Sequence, residues 1–474
     1  MAASLLYRDA VGTGSLFQGA FSCWLKISGN SQGVVGAEDY TIFSGSWNSS
    51  TNNRCQFSKN SDNSLSMQVV GGGTSTEVKC APDGTNVRLF RDPTAWYHVV
   101  MVCDLQNATD TNRIKIWVNG EEQTLTGTYP AIAGGTQLYM FDDSTDNRLI
   151  VGGKWMSSSY SEYYKGNMSE VYVLDGNTTA TAATFGEYDS TSGVWKPKLG
   201  PSVGSYGTNG VYLEFTSGSS MGTDSSGSGN TFTVSGTITP SKDTPDNNYC
   251  TANPQDNQFA GATYTNANNT IETSAGNTAF TVGTLGMVGG KYYWETKIAT
   301  NNSSAMLIGI TGNACQSGTA FLGEGYYEYS YYSAAGNKYN NNSATSFGSS
   351  YTAGDIIQVA VDLDNFKIWW GKDNVWQDSG DPAAGTGEAY TIRNFTEFVG
   401  SGGYGPLNYG AYLPAWGDYG SQADTYNINM GQGYFGTAAA GTNTDGNGHG
   451  LFAYAPPTGF FALCTSNIST QGGN

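Results

Sequence analysis

Ala95-Trp96-Tyr97-His98-Val99-Val100-Met101-Val102-Cys103-Asp104, leading to Asn112-Arg113-Ile114-Lys115-Ile116-Trp117-Val118-Asn119-Gly120, has the pattern of two strands of one β-hairpin. Residues 96–103 are apolar on both strand faces, which predicts an inner strand covered from two sides. Ile114, Ile116 and Val118 then share one face of the next strand, and Asn119-Gly120 offers the two positive-φ positions of a type I′ turn. The pattern recurs in Gly354-Asp355-Ile356-Ile357-Gln358-Val359-Ala360-Val361-Asp362-Leu363-Asp364-Asn365-Phe366-Lys367-Ile368-Trp369-Trp370, where Asp362-Leu363-Asp364-Asn365 is the turn. One kind of hairpin core is therefore present twice.

Working outward, Phe21-Ser22-Cys23-Trp24-Leu25-Lys26-Ile27 alternates apolar and polar residues, with Trp24 on the otherwise polar face. Arg148-Leu149-Ile150-Val151, Met168-Ser169-Glu170-Val171-Tyr172-Val173-Leu174 and Gly210-Val211-Tyr212-Leu213-Glu214-Phe215 complete the strands of the first half. Residues 216–270 are rich in Gly, Ser, Asn, Asp and Pro and read as a linker carrying one short strand at 231–234. Lys291-Tyr292-Tyr293-Trp294-Glu295, Ala305-Met306-Leu307-Ile308-Gly309-Ile310, Tyr426-Asn427-Ile428-Asn429-Met430 and Gly459-Phe460-Phe461-Ala462-Leu463 supply the second half. The expectation is an all-β chain of two antiparallel β-sandwich domains, 1–215 and 271–474, joined by the linker 216–270.

Composition agrees with that reading. The 474 residues exceed one ordinary core, and 65 Gly with only 13% charged residues suit many strands joined by many turns. A net charge of -18, with 21 scattered Lys and Arg, argues against a nucleic-acid partner. No segment approaches the roughly 18 apolar residues of a membrane span, and Met1-Ala2-Ala3-Ser4-Leu5-Leu6-Tyr7-Arg8-Asp9 lacks the features of a secretory leader, so no membrane insertion and assembly in a cytoplasm are expected. The seven cysteines show no CxxC spacing and read as reduced, buried thiols, Cys55 with Cys80 being the pair a disulfide would take.

The sequence carries no catalytic constellation. Glycoside hydrolysis needs paired carboxylates, yet no Glu-x-Asp-x-Glu alternation occurs, and Glu170, Glu295 and Glu328 each lack an acidic neighbour two residues away. The two histidines, His98 and His449, are too few for a histidine-rich zinc site, and His98 reads as a packing or hydrogen-bonding residue. Calcium is the metal that Asp142, Asp143 and Asp146 would suit, although Asp and Asn are equally ordinary turn formers. For sugars the useful groups are aromatic faces flanked by polar residues. Three places combine them: Tyr326, Tyr327, Tyr329, Tyr331 and Tyr332; Tyr412, Trp416, Asp418 and Tyr419; and Trp155 with Tyr160. The competing reading is that these rings pack in the core or against a neighbouring subunit.

A family resemblance rests on further residues. The first half resembles the LamG-like, concanavalin-type domains of bacteriophage structural proteins in Phe90-Arg91-Asp92-Pro93-Thr94-Ala95-Trp96-Tyr97-His98, Trp117-Val118-Asn119-Gly120, Gly193-Val194-Trp195-Lys196-Pro197 and Tyr206-Gly207-Thr208-Asn209-Gly210. Asp224-Ser225-Ser226-Gly227 and Asp243-Thr244-Pro245 continue it. The second half resembles a SPRY domain in Gly290-Lys291-Tyr292-Tyr293-Trp294-Glu295, Ile308-Gly309-Ile310, the 354–364 stretch and Asn427-Ile428-Asn429-Met430-Gly431-Gln432, but departs from it at Gln358 and in Trp369-Trp370-Gly371-Lys372-Asp373-Asn374.

The resemblance implies two concanavalin-type jelly-roll sandwiches in a non-enzymatic virion protein. That protein would be a tail fibre or appendage component contacting other virion proteins and a host-surface glycan or receptor, with homo-oligomerisation, as a trimer, also implied. An architectural role as capsid decoration, head fibre or tail adaptor is the alternative, and polysaccharide depolymerase the third.

Overall fold

The computed structural model describes residues 4–29, 38–47, 50–132, 136–143, 147–216, 220–257, 259, 261–276, 278–313, 320–394 and 409–471. The chain divides into two compact units, Met1–Ile27 with Gly36–Pro240 and Ser28–Val35 with Ser241–Asn474. Helix among the described residues is confined to Ala182–Phe185, Thr465–Gln471 and two short 3₁₀ turns. The expected all-β architecture of two antiparallel sandwiches is what the chain adopts.

In the first unit an eight-stranded sheet runs in the order Leu125–Gly127, Thr74–Cys80, Leu65–Gly71, Arg54–Lys59, Tyr40–Ser46, Arg148–Val151, Leu5–Asp9, Thr233–Ser235. It faces a six-stranded sheet in the order Val211–Leu213, Gly166–Asp175, Gln18–Ile27, Trp96–Asp104, Ile114–Val118, Glu121–Glu122. Phe21 of one sheet stacks on Phe43 of the other, ring centres 4.3 Å apart, with Cys23, Phe57, Met67 and Val69 buried around them. Strand Trp96–Asp104 lies inside its sheet, and Val100 and Val102 pack under the Ala182–Phe185 turn in a second apolar cluster. That second layer is why both faces of the stretch had to be apolar. Asn119 and Gly120 have φ of 48° and 89°, as the type I′ turn requires.

His98 belongs to this second layer. Its ring stacks on Trp24 at 4.8 Å, Trp195 Nε1–H donates to its Nδ1 at 3.0 Å, and its Nε2 lies 2.9 Å from Ser22 Oγ. An indole N–H can only donate, so Nδ1 accepts and the ring proton sits on Nε2. Burial holds the His98 pKa down at about 3, and Trp24, out of place on a polar strand face, is explained by this stack.

The second unit pairs a seven-stranded sheet, Ala252–Asn257, Ala279–Gly283, Leu413–Asp418, Met306–Thr311, Glu328–Tyr332, Asn337–Asn340, Ser343–Ser346, with a nine-stranded one. The latter runs Thr263–Thr265, Thr270–Glu272, Thr425–Asn429, Lys291–Thr300, Ile356–Asp362, Lys367–Lys372, Val375–Trp376, with Tyr390–Thr391 and Phe461–Ala462 attached. Trp294, Trp370 and Trp416 fill the space between the sheets. On the outer face of the nine-stranded sheet Tyr293, Ala360, Trp369 and Ala462 cluster with Phe452 and Phe460.

Residues 216–270 are folded into the units more fully than a linker with one short strand. Thr233–Ser235 is the edge strand of the eight-stranded sheet, and the Asp224 carboxylate accepts N–H bonds from Tyr212, Ser226 and Asn230. Ala252–Asn257, Thr263–Thr265 and Thr270–Glu272 are strands of the second unit. Asp, Asn and Ser in this segment close local turns, which gives it a linker's composition without a linker's freedom. The six described cysteines are buried, and Cys23, Cys55, Cys80, Cys103 and Cys464 are free thiols. Cys55 and Cys80 lie on strands separated by Leu65–Gly71, about 9.5 Å apart, beyond disulfide reach.

Candidate binding surfaces

Most of the aromatic residues singled out for sugar stacking are core residues. Tyr327, Tyr329, Tyr331, Tyr412 and Trp416 lie within the sandwich interior of the second unit, and no ring face of theirs meets solvent. Their polar atoms are satisfied there: Trp416 Nε1–H donates to Thr296 Oγ1 at 3.0 Å, Tyr412 Oη–H to the Arg393 carbonyl at 2.9 Å, and Tyr331 Oη–H to the Ser349 carbonyl. A buried tyrosine with its hydroxyl on a backbone group serves a core as well as phenylalanine does. Tyr326 is half-buried under the Arg393 guanidinium, 3.4 Å from its ring centre.

Two of the stretches nevertheless converge. Tyr332, next to the inward Tyr331, points to the outer face of the seven-stranded sheet, and Tyr419 follows directly on strand Leu413–Asp418. Phe321 joins them: its ring centre lies 4.9 Å from that of Tyr419 and 5.5 Å from that of Tyr339, and Tyr339 is 5.6 Å from Tyr332. Tyr419 is 53% exposed, so this four-ring patch keeps one ring open to solvent. The loop under it is fixed by Ser330 Oγ–H donating to the Leu322 carbonyl at 2.7 Å. At Gly323, where φ is 109°, a Cβ would come 2.7 Å from that of Tyr339, so only glycine fits. Tyr339 escaped the sequence reading because Asn337-Lys338-Tyr339-Asn340 holds a single aromatic residue, and only its register opposite Ser330 brings it into the patch.

The third stretch forms a surface of its own in the first unit. Trp155 and Tyr160 face each other across the hairpin Lys154–Met156, Ser159–Ser161, ring centres 4.6 Å apart. Ser157 and Ser158, with φ of 52° and 59°, make its turn. The Arg148 guanidinium lies 4.3 Å from the Trp155 ring centre and 4.9 Å from that of Tyr7, and it donates to Tyr160 Oη at 2.5 Å. Asp9, paired with Arg148 in the strand register, sits 3.3 Å from its Nε with an exposed carboxylate. The result is a half-exposed group of three rings, one cation and one open carboxylate, a combination that suits a polyhydroxylated ligand.

The remaining candidates are carboxylates. Asp418 is wholly buried, so it faces no glycan. Asp143 accepts a bond from Thr13 Oγ1–H, the Asn147 amide donates to the Asp142 carbonyl, and Asp146 lies outside the described residues. No group of three or more His, Cys, Asp or Glu placed to hold a metal occurs among the described residues. Glu170 accepts both the Tyr172 and Tyr212 phenols, Glu328 the Gly323 and Gly325 N–H groups. Glu295 accepts the Tyr293 phenol and the N–H groups of Ala453 and Tyr454, and burial raises its pKa despite them.

Residues 13–183 match the concanavalin A-like lectin/glucanases superfamily, and residues 291–384 match the SPRY domain family. The chain carries a concanavalin-like domain followed by a SPRY domain. Similar solved structures include the SPRY domain of human HERC1, 17% identical with a TM-score of 0.28, covering 37% of this chain and 96% of that one. Stonustoxin is 16% identical with a TM-score of 0.28, covering 38% of this chain, which in turn spans only 27% of stonustoxin. A heptameric SAP-like pentraxin from Limulus polyphemus is 14% identical with a TM-score of 0.25, covering 36% of this chain and 69% of that one. No curated protein matches the chain in sequence. The lectin-like and SPRY domains point to a binding or adhesion role.

Proposed function

We propose that this chain is a structural protein of a bacteriophage particle, a tail-fibre or appendage component that attaches to host-surface glycans through exposed aromatic patches. The observation that carries the binding half of the reading is Tyr419, a large ring left open beside Phe321, Tyr339 and Tyr332 on the outer sheet face of the SPRY domain. The Trp155–Tyr160 hairpin offers a second such surface in the concanavalin-like domain. The virion half rests on the phage-type motifs of residues 90–215 and on the order of the two domains. Sites this shallow bind weakly one at a time, and a homo-oligomer on a particle would convert them into avidity.

A glycan array probed with the labelled full chain tests the binding half. Retention of host-surface polysaccharide is expected, with Tyr419→Ala and Trp155→Ala each weakening it about tenfold, the loss of one aromatic contact worth about 1.4 kcal/mol. Variants that bind like the parent, or an array with no retained glycan, would refute it.

A further inference from the structure

Close to Tyr419 in the chain are two buried carboxylates that no cation among the described residues balances. Asp418, the last residue of strand Leu413–Asp418, and Asp424, just before strand Thr425–Asn429, are both fully buried. They share hydroxyl partners. Thr273 Oγ1–H donates to Asp418 Oδ2 at 2.7 Å, and Thr273 Oγ1 in turn accepts the Asp424 N–H at 2.9 Å. Ser303 Oγ–H donates to Asp424 and lies 3.5 Å from Asp418 Oδ1, and its single proton can serve one carboxylate at a time. The Gly420 N–H donates to Asp418 Oδ1 at 2.7 Å, the Asn302 N–H to Asp424 Oδ1, and the Thr273 N–H to the Asp424 carbonyl at 2.9 Å. The pair thus ties the 301–304 turn and the 419–424 connection to Thr273.

The titratable groups facing the pair from neighbouring elements are Tyr426 of the adjoining strand, Tyr351 and Tyr332. Burial pushes all three phenols up, so they stay neutral. Neither carboxylate makes an ion pair with Lys, Arg or His among the described residues. Two buried carboxylates joined through one serine do not both ionise readily. Burial holds Asp418 up at about 6, opposed by the Thr273 and Gly420 hydrogen bonds and reinforced by the charge of Asp424.

We propose that Asp418 and Asp424 form a proton-operated latch, in which a proton on Asp418 keeps residues 301–304 and 419–424 closed and Tyr419 seated on its patch, and loss of that proton opens them. In an open, hydrated state Asp418 would titrate near the ordinary value of about 3.9. The closed state therefore binds the proton more tightly, and raising the pH through the Asp418 pKa shifts the balance towards opening. The consequence for attachment, a patch better formed in mild acid, rests on the glycan-binding reading; the latch itself rests on the pair.

Hydrogen exchange of the full chain, read by mass spectrometry from about pH 5 to about pH 8 and corrected for intrinsic rates, tests it. Protection of peptides covering 301–304 and 419–424 is expected to fall by on the order of tenfold or more across that range, while that of strand Ile356–Asp362 stays level. Asp418→Asn, uncharged throughout, should flatten the profile, and Asp424→Asn should move its midpoint to lower pH. A flat parental profile, or an equal slope in Asp418→Asn, overturns the latch. Should Asp418→Asn fail to fold, as judged by near-ultraviolet circular dichroism, the Asp424→Asn midpoint decides, and an unmoved midpoint overturns it. A latch profile that holds while Tyr419→Ala leaves glycan binding intact supports the latch and removes the binding reading; a flat profile with Tyr419-dependent binding does the reverse.

Discussion

The His98 imidazole is held between a group that can only donate, the Trp195 indole N–H, and one that can accept, the Ser22 hydroxyl. That geometry admits one neutral tautomer, and protonating Nδ1 would set two donors against each other in a buried site. The ring nitrogens of His98 should therefore show the Nε2–H pattern by NMR and no titration down to about pH 4, well below the ordinary value near 6.5. Trp195→Phe keeps the ring packing but leaves Nδ1 without its donor, and a loss of about 1–3 kcal/mol in urea unfolding of the first unit is expected. An unchanged midpoint would show that the hydrogen bond adds nothing to the stack. The sequence signalled a packing role for His98 because the residue sits in an apolar strand. It did not signal the partner, since Trp195 is 97 residues away and reaches His98 only through the hairpin Gly186–Tyr188, Trp195–Pro197.

Among elements, the hairpins were the most legible, because alternation and turn chemistry are local: Ile114–Val118 with Asn119-Gly120, and Ile356–Asp362 with Lys367–Lys372, occupy the stretches read as hairpins. Less legible was whatever depended on a covering layer. Glu328–Tyr332 looks two-faced, but which tyrosines meet solvent depends on the 321–323 loop bonded to Ser330 and on Tyr339 of the neighbouring strand Asn337–Asn340. Gln358, a departure from the SPRY pattern, has its explanation in such a layer. Its Nε2–H donates to Tyr293 Oη at 3.2 Å, Tyr293 Oη–H donates to Glu295 at 2.9 Å, and Glu295 accepts the N–H groups of Ala453 and Tyr454. A polar chain thus fastens the C-terminal segment to the nine-stranded sheet. Glu295→Ala would strand several buried donors at once, costing about 3–5 kcal/mol. Exchange protection should be lost first in peptides covering 452–462; loss spread evenly over the unit would mean that the carboxylate supports the whole sandwich and not that segment in particular.

At the scale of the molecule, two compact units carry buried titratable groups whose pKa values are shifted in opposite senses. His98 is depressed below its unfolded value, so the first unit has the full benefit above about pH 6.5 and loses it as acid protonates the unfolded chain. Asp418 is raised, so the second unit has its full benefit below about pH 4 and loses it as the pH climbs through about 6. Taking the full chain from about pH 7.5 to about pH 5 should therefore cost the first unit about 2 kcal/mol and give the second about 1 kcal/mol. At roughly 2–4 °C per kcal/mol for units of this size, scanning calorimetry should resolve two transitions drawn in opposite directions by several degrees. His98→Gln, whose amide can accept from Trp195 and donate to Ser22, should hold the first transition still, and Asp418→Asn the second. A single transition that moves as one would mean that the units unfold together, and two transitions indifferent to both substitutions would mean that other groups govern the acid response.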